Sequence, residues 1–399
     1  MDKKENTLLG VSIGHAAHDS WYGLAPVLLA ALSAPMQLSN SDIGLILLFY
    51  QALSSVSQPV FGRWSERFGG RPFAVGSILW TTLMFSAALF VQSKVGLMVC
   101  IGLAGLGSGA WHPQGTTNAT VAGGERWGAT ATAIFFLGGT LGSAYLGAAL
   151  GGWLLEAYGR RALLVIAAVA CFIALTVVRR TVPQKLLTAT EGTKNVQTAN
   201  GSTAGSFWML LVMLLIGIAM RSLTFTSLTT YVSKYQQDLG ASPATYGMLM
   251  SVFLTTVAVG GVVGSYLADR LGLKRVLAGS LIISAGLLFF FLRTTGFASY
   301  VLFALLGLIF GPSHTLFLVA GQRQFPTRMA MMAGIFLGFT FVSGAGGAWV
   351  LGLLADRFGL STMLGVLPWA VVAALAAALM GVPREAPRPT PQPEDAVTA

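Results

Sequence analysis

Along this chain, runs of about twenty apolar residues alternate with short polar or Gly/Pro-containing turns, and the alternation occurs twelve times. The runs fall near 7–32, 42–62, 72–92, 96–121, 128–156 and 161–178, then 207–232, 243–267, 275–293, 297–321, 329–355 and 361–381. Each is long enough to cross a bilayer as a helix. Between the sixth and seventh lies a stretch rich in Thr, Gly, Asn, Gln and Lys with no apolar period. The pattern therefore predicts an all-α integral membrane protein in four parts: a six-helix bundle over 1–178, a cytoplasmic linker over 179–206, a second six-helix bundle over 207–381, and a disordered, Pro-rich cytoplasmic tail over 382–399.

Composition narrows the class. The chain is 54% hydrophobic and only 10% charged, with 49 glycines and a mean hydropathy of +0.72, which excludes an ordinary soluble core. Its net charge of +10 does not point to nucleic acid, because the basic residues sit in the short turns. With the N-terminus placed inside, the inner segments hold 17 Lys and Arg against 6 in the outer ones. Both termini are thus expected in the cytoplasm of a multi-pass protein of the bacterial inner membrane. Cys100 and Cys171 fall inside apolar runs, so neither a disulfide framework nor a zinc site is expected. The first run is too long and too polar for a signal peptide.

A short pattern recurs four times: a small residue, three residues, an acid, two residues, Gly. The copies are Gly62…Glu66…Gly69, Gly152…Glu156…Gly159, Ser265…Asp269…Gly272 and Gly352…Asp356…Gly359. The first and third lie 203 residues apart, the second and fourth 200. Two duplicated halves, each of two three-helix units, explain this register, and transporters arrange such units around a central site.

The ionisable residues at membrane depth are few and ordered. His15, His18, Asp19 and Tyr22 stand at i, i+3, i+4 and i+7, on one face of the first helix. His112 lies in the fourth helix, Arg221 in the seventh and His314 in the tenth, so every one of them is in the first helix of a three-helix unit. Such groups persist in lipid only if they face a partner or a wet cavity. Asp19 and Arg221 are 202 residues apart, nearly equivalent positions of the two halves, and are expected to approach each other. Protonation or substrate binding would change that pairing, whereas a permanent buried ion pair would only fix the packing. Pro113 and Pro312 beside two of the histidines permit kinks there.

The inner copies, Gly62-Arg-Trp-Ser-Glu-Arg-Phe-Gly-Gly-Arg71 and Ser265-Tyr-Leu-Ala-Asp-Arg-Leu-Gly-Leu-Lys-Arg275, resemble the loop signature of the major facilitator superfamily, with Glu66 for Asp and Ser265 for Gly. The resemblance implies that fold and a cytoplasmic latch between its halves, formed here by Gly62, Glu66, Arg67, Arg71, Asp269 and Arg270. It also implies that helices 1, 4, 7 and 10 line the central cavity. Gly14-His-Ala-Ala-His-Asp19 and Gly107-Ser-Gly-Ala-Trp-His-Pro113 resemble the fosmidomycin-resistance family within it, in which His15, Asp19 and His112 match family positions. Gln114 departs from that pattern, standing where an acid is common. Leu146-Gly-Ala-Ala-Leu-Gly-Gly152 resembles the fifth-helix signature of proton antiporters without its proline.

These readings lead to a monomeric secondary transporter working by alternating access, with protons, a small molecule and the lipid bilayer as its partners and no cofactor or metal. Proton-coupled export of a small organic compound, anionic in view of the many cationic cavity groups, is the expected activity. Proton-coupled uptake of an organic anion stays open, as does, remotely, an intramembrane enzyme. Gly10-Val-Ser-Ile-Gly14 matches the hydrolase elbow only in letters, since Ser12 lies in a continuous apolar helix. No Walker-type phosphate loop is present.

Overall fold

A computed structural model describes residues 3–185, 204–324 and 329–382. They form twelve helices: α1 Lys3–Ser33, α2 Asn40–Phe68, α3 Gly70–Ala88, α4 Lys94–Gly124, α5 Thr130–Tyr158 and α6 Arg160–Thr181. They continue as α7 Ala204–Asp238, α8 Pro243–Leu271, α9 Leu273–Phe291, α10 Phe297–Gly321, α11 Met329–Phe358 and α12 Leu360–Gly381. Among the described residues 10 helices are long and apolar enough to cross a membrane. The exceptions are α1, diluted by its polar face, and α3, which carries Arg71 and Pro72 in its first turn. Helix reaches into both ends of the expected linker, while 186–203 and the tail from 383 onward lie outside the described residues.

Local sequence sets the helix ends. Ser39 and Asp42 form a reciprocal capping box at the start of α2. Ser93 caps α4 through the Gly96 amide at 3.1 Å, and Ser242 caps α8, which opens with Pro243. The four repeated motifs end alike. Gly69, Gly159, Gly272 and Gly359 join α2 to α3, α5 to α6, α8 to α9 and α11 to α12, with φ of 100°, 76°, 95° and 88°. Each donates its N–H to the carbonyl four residues back. Only glycine adopts this backbone cheaply, so the repeat is a corner that turns one spanning helix into the next.

Close packing is built on small residues. On α5, β-carbons at Gly138, Gly142 and Gly147 would lie 2.5, 2.1 and 2.2 Å from the carbonyl oxygens of Ser12, Ala16 and Ser20 on α1. Those α1 positions step by four, whereas the glycines step by four and then five. The extra residue is absorbed where α5 widens into π-helix over Gly142–Ala149, which keeps the seam in step.

The first six helices meet the last six mainly through α2 against α11 and α5 against α8. The cross contacts cluster at one end. Asp356, at the end of α11, accepts from the Asn40 and Ser41 amides of α2 at 2.7 and 3.0 Å. Glu156, at the end of α5, accepts from the Ala244 amide of α8 at 2.9 Å. The Tyr231 hydroxyl lies between the carbonyls of Ala348 at 2.8 Å and Asn40 at 3.2 Å, and Ser33 Oγ meets Gln237 Oε1 at 2.9 Å. Just inside this sealed end is a central space, lined from one side by Tyr22, Pro26, Leu47 and Gln51 and from the other by Phe225, Thr229, Met250 and Phe341.

Candidate functional site

One helical turn from that space, each six-helix set carries a polar cluster. In the first set Asp19 lies at the centre. His15, on the preceding turn of α1, is fully buried. Its Nδ1 donates to the Phe135 carbonyl at 2.8 Å, which aims Nε2 at Asp19 Oδ2, 3.1 Å away. That approach is within ion-pair distance but outside hydrogen-bond geometry. The ring stacks on Phe135 at 4.0 Å. It fits because residue 139 is glycine, where a β-carbon would stand 2.6 Å from Nε2.

His18 approaches the other carboxylate oxygen, Nδ1 to Oδ1 at 2.9 Å. Its Nε2 lies 3.2 Å from the Thr81 hydroxyl, and its ring lies parallel to Trp111 at 5.8 Å. His112 donates from Nδ1 to the Ser108 carbonyl at 2.9 Å and stands edge-on to His15 at 5.2 Å. Its Nε2 lone pair is thereby left for the cluster. His15, Asp19 and His112 bring one ligand atom each within 4.8 Å of one another, a donor set that suits a small cation. Tyr22, 38% exposed, stacks on Tyr50 at 5.9 Å and lines the central space.

In the second set Arg221 of α7 reaches α10. Its Nε donates to Ser313 Oγ at 3.1 Å, Nη1 stands 3.5 Å from His314 Nδ1, and Phe225 and Phe310 flank the guanidinium at 4.8 and 5.1 Å. Asp19 and Arg221 are therefore not paired in this conformation. The reason is local: two imidazoles on α1 itself already hold both oxygens of the carboxylate.

The expected cytoplasmic latch is likewise not made here. Glu66, Arg67, Asp269 and Arg270 are exposed. Arg67 and Arg270 lie over Phe68 and Tyr266 on their own helices, and Arg71 Nε donates to the Val182 carbonyl at 2.6 Å. Gly62 faces Pro113. The half-joining contacts are made instead by Glu156 and Asp356, the two copies of the repeat that sequence reasoning counted without assigning a role. Their identical spacing was the available signal. Also missed were Phe135, Gly139, Thr81 and Ser313, which orient the titratable groups. Gln114 is fully buried, donating to the Trp111 carbonyl and accepting from Asn118, both at 3.1 Å. A neutral amide network occupies the place of an acid.

The Major Facilitator Superfamily model matches residues 13–240 and 214–398. The fosmidomycin resistance protein of Escherichia coli (strain K12) is 29% identical over 351 residues, covering 87% of this chain and 86% of the relative. An uncharacterized MFS-type transporter, YfnC, of Bacillus subtilis (strain 168) is 29% identical over 365 residues, covering 90% and 89%. Among solved structures, a bacterial homolog of the human lysosomal transporter Spinster, inward-facing and occupied, superposes with a TM-score of 0.76 at 14% identity, covering 96% of this chain and 97% of that one. The nucleoside transporter NupG gives 0.68 at 15%, covering 95% and 99%. The chain belongs to the major facilitator superfamily; it is a multi-pass membrane transporter, not an enzyme.

Proposed function

We propose that this major facilitator exports a small organic compound, anionic in character, in exchange for protons, by alternating access. The observation that carries the reading is the pair of buried polar clusters, Asp19 with His15, His18 and His112 in one helix set and Arg221 with Ser313 and His314 in the other, each one helical turn from a residue that lines the central space, Tyr22 and Phe225. The six-helix bundles over 1–178 and 207–381 rock against each other about the linker over 179–206, and the side chains at mid-depth are presented to each face in turn. Asp19 is the coupling group. Protonation removes the acceptor that His15 and His18 share, which loosens their hold and changes what the cavity presents to substrate. Export is favoured over uptake by the name of the Escherichia coli relative, a resistance protein. The distribution of Lys and Arg supports cytoplasmic termini, and the membrane of this reading is the bacterial inner membrane. The sealed end then faces outward, and the working unit is one chain.

The test is a substrate panel in proteoliposomes carrying an internal pH dye. Proton movement opposite to substrate is the expected result, and movement with substrate would establish uptake instead. Asp19→Asn is expected to fold, to bind substrate and to lose proton-driven exchange. Transport by that variant with an unchanged proton dependence would remove Asp19 from the coupling.

A further inference from the structure

The second cluster holds a charge that nothing in the described chain balances. Arg221 is only 4% exposed, and no described carboxylate lies within ion-pair distance of it. A buried guanidinium without a counter-charge is costly, and the aromatic faces of Phe225 and Phe310 offset only part of that cost. The hydrogen-bonding directions say what is missing. The Ser313 hydroxyl gives its proton to the Phe310 carbonyl at 2.6 Å, so its oxygen accepts from Arg221 Nε and fixes the guanidinium plane. The Nη edge is left over. His314 turns Nδ1 toward Nη1, an N–H donor, so that nitrogen presents its lone pair and the ring proton sits on Nε2 as a further donor. Beside these donors is a narrow space whose other walls are Ile218, Phe317, Leu318, Phe336 and Thr340. The Thr340 hydroxyl is already committed to the Phe336 carbonyl at 2.8 Å. Donors at one wall and hydrocarbon at the others describe a receptor for an oxyanion with an apolar body.

We infer that Arg221, oriented by Ser313 and assisted by His314, is the group that receives the substrate's oxyanion, and that the substrate is a small amphipathic acid. The inference rests on the transporter reading above and deepens it. The bidentate fork of Arg221 accounts for recognition of the anion, and Phe317 and Phe336 receive the apolar body. Substrate charge and exchangeable proton then sit on opposite helix sets, the acid against α7 and α10 and the proton on α1 and α4. Coupling passes through helix movement rather than through competition for one group.

The experiment is calorimetric titration of the full chain in lipid nanodiscs with benzoate, benzenesulfonate and benzamide, the last a neutral match to benzoate in shape. Both acids are expected to bind, with benzamide at least about tenfold weaker. Arg221→Gln is expected to weaken benzoate by about 10- to 100-fold and to abolish the preference over benzamide. Arg221→Lys, which keeps the charge without the fork, and Ser313→Ala, which frees the guanidinium to turn, fall between. Equal binding of benzoate and benzamide by the unaltered chain would overturn the inference. So would undiminished benzoate affinity in Arg221→Gln, or no acid binding at millimolar concentration. If Arg221→Gln does not fold, the Lys variant and the ratio in the unaltered chain still decide. The unaltered chain separates the two proposals: Arg221-dependent benzoate binding without any proton response in vesicles would sink proton coupling and leave the anion receptor standing.

Discussion

Gly139 gives His15 its place. A β-carbon there would lie 2.6 Å from Nε2 and 2.7 Å from Cε1, and Phe135 stacks on the ring at 4.0 Å. Gly139→Ala is therefore expected to push the imidazole off Asp19 and to lower transport by about tenfold or more. The same change raises helix propensity by up to about 1 kcal/mol, so the melting temperature in detergent should hold or rise. A parallel fall in activity and melting temperature would mean the helix, not the histidine, was disturbed. His15, Asp19, His112 and Arg221 were legible in the sequence because ionisable groups stand out against apolar helices, where each must have a reason to stay. Their partners were not. Thr81, Phe135 and Ser313 are ordinary residues in their own helices, and no period shows which distant turn will face which. The expected approach of Asp19 and Arg221 followed from their equivalence in the repeat. Equivalence fixes depth and face, whereas pairing depends on what else is in reach, and His15 and His18 are nearer.

At the scale of the helices, the apolar runs located each of the twelve, and among the described residues ten are long and apolar enough to cross a membrane. The ends were less legible. α2 runs on to Phe68 and α7 to Asp238, past the apolar stretches, because a helix need not stop where lipid does. The π-helical stretch of α5 left no trace in hydropathy. It becomes intelligible only beside α1, where it keeps Gly138, Gly142 and Gly147 over successive carbonyls. Gly142→Ala would set a β-carbon 2.1 Å from the Ala16 oxygen, and main chain cannot rotate aside. A loss of about 1–3 kcal/mol is expected, read as a lower melting temperature. Gly346→Ala on α11, where a β-carbon meets nothing within 4 Å, is the matched control and should be neutral or stabilising. Equal effects at the two sites would show that the α1/α5 seam tolerates separation.

At the scale of the whole molecule, the fourfold repeat announced the symmetry but not the state in which it would be found, since one sequence must suit both ends of the transport cycle. Here one end is closed. Glu156 and Asp356 sit on the first amides of α8 and α2, where backbone donors and the helix dipole favour a negative charge. Glu66 and Asp269, the same corner at the other end, stand exposed. Combined Glu156→Gln and Asp356→Asn should loosen the seal. A cysteine placed in the central space as Leu47→Cys, with Cys100 and Cys171 replaced by serine, is expected to react faster with a membrane-impermeant maleimide added from the sealed side. Unchanged labelling would mean that the packing of α2 on α11 and α5 on α8 holds the seal without the carboxylates. The nature of the acids' partners also bears on how such a chain can diverge. Each carboxylate binds main-chain amides, which every residue except proline supplies, and side chains beside them, those of Asn40 and Ser41 for Asp356 and that of Ser242 for Glu156, so the main-chain part of the closure survives substitution at positions 40, 41 and 244. A lineage can thus change a side chain on that outer surface, weaken the closure by one hydrogen bond, and still keep the same closing mechanism.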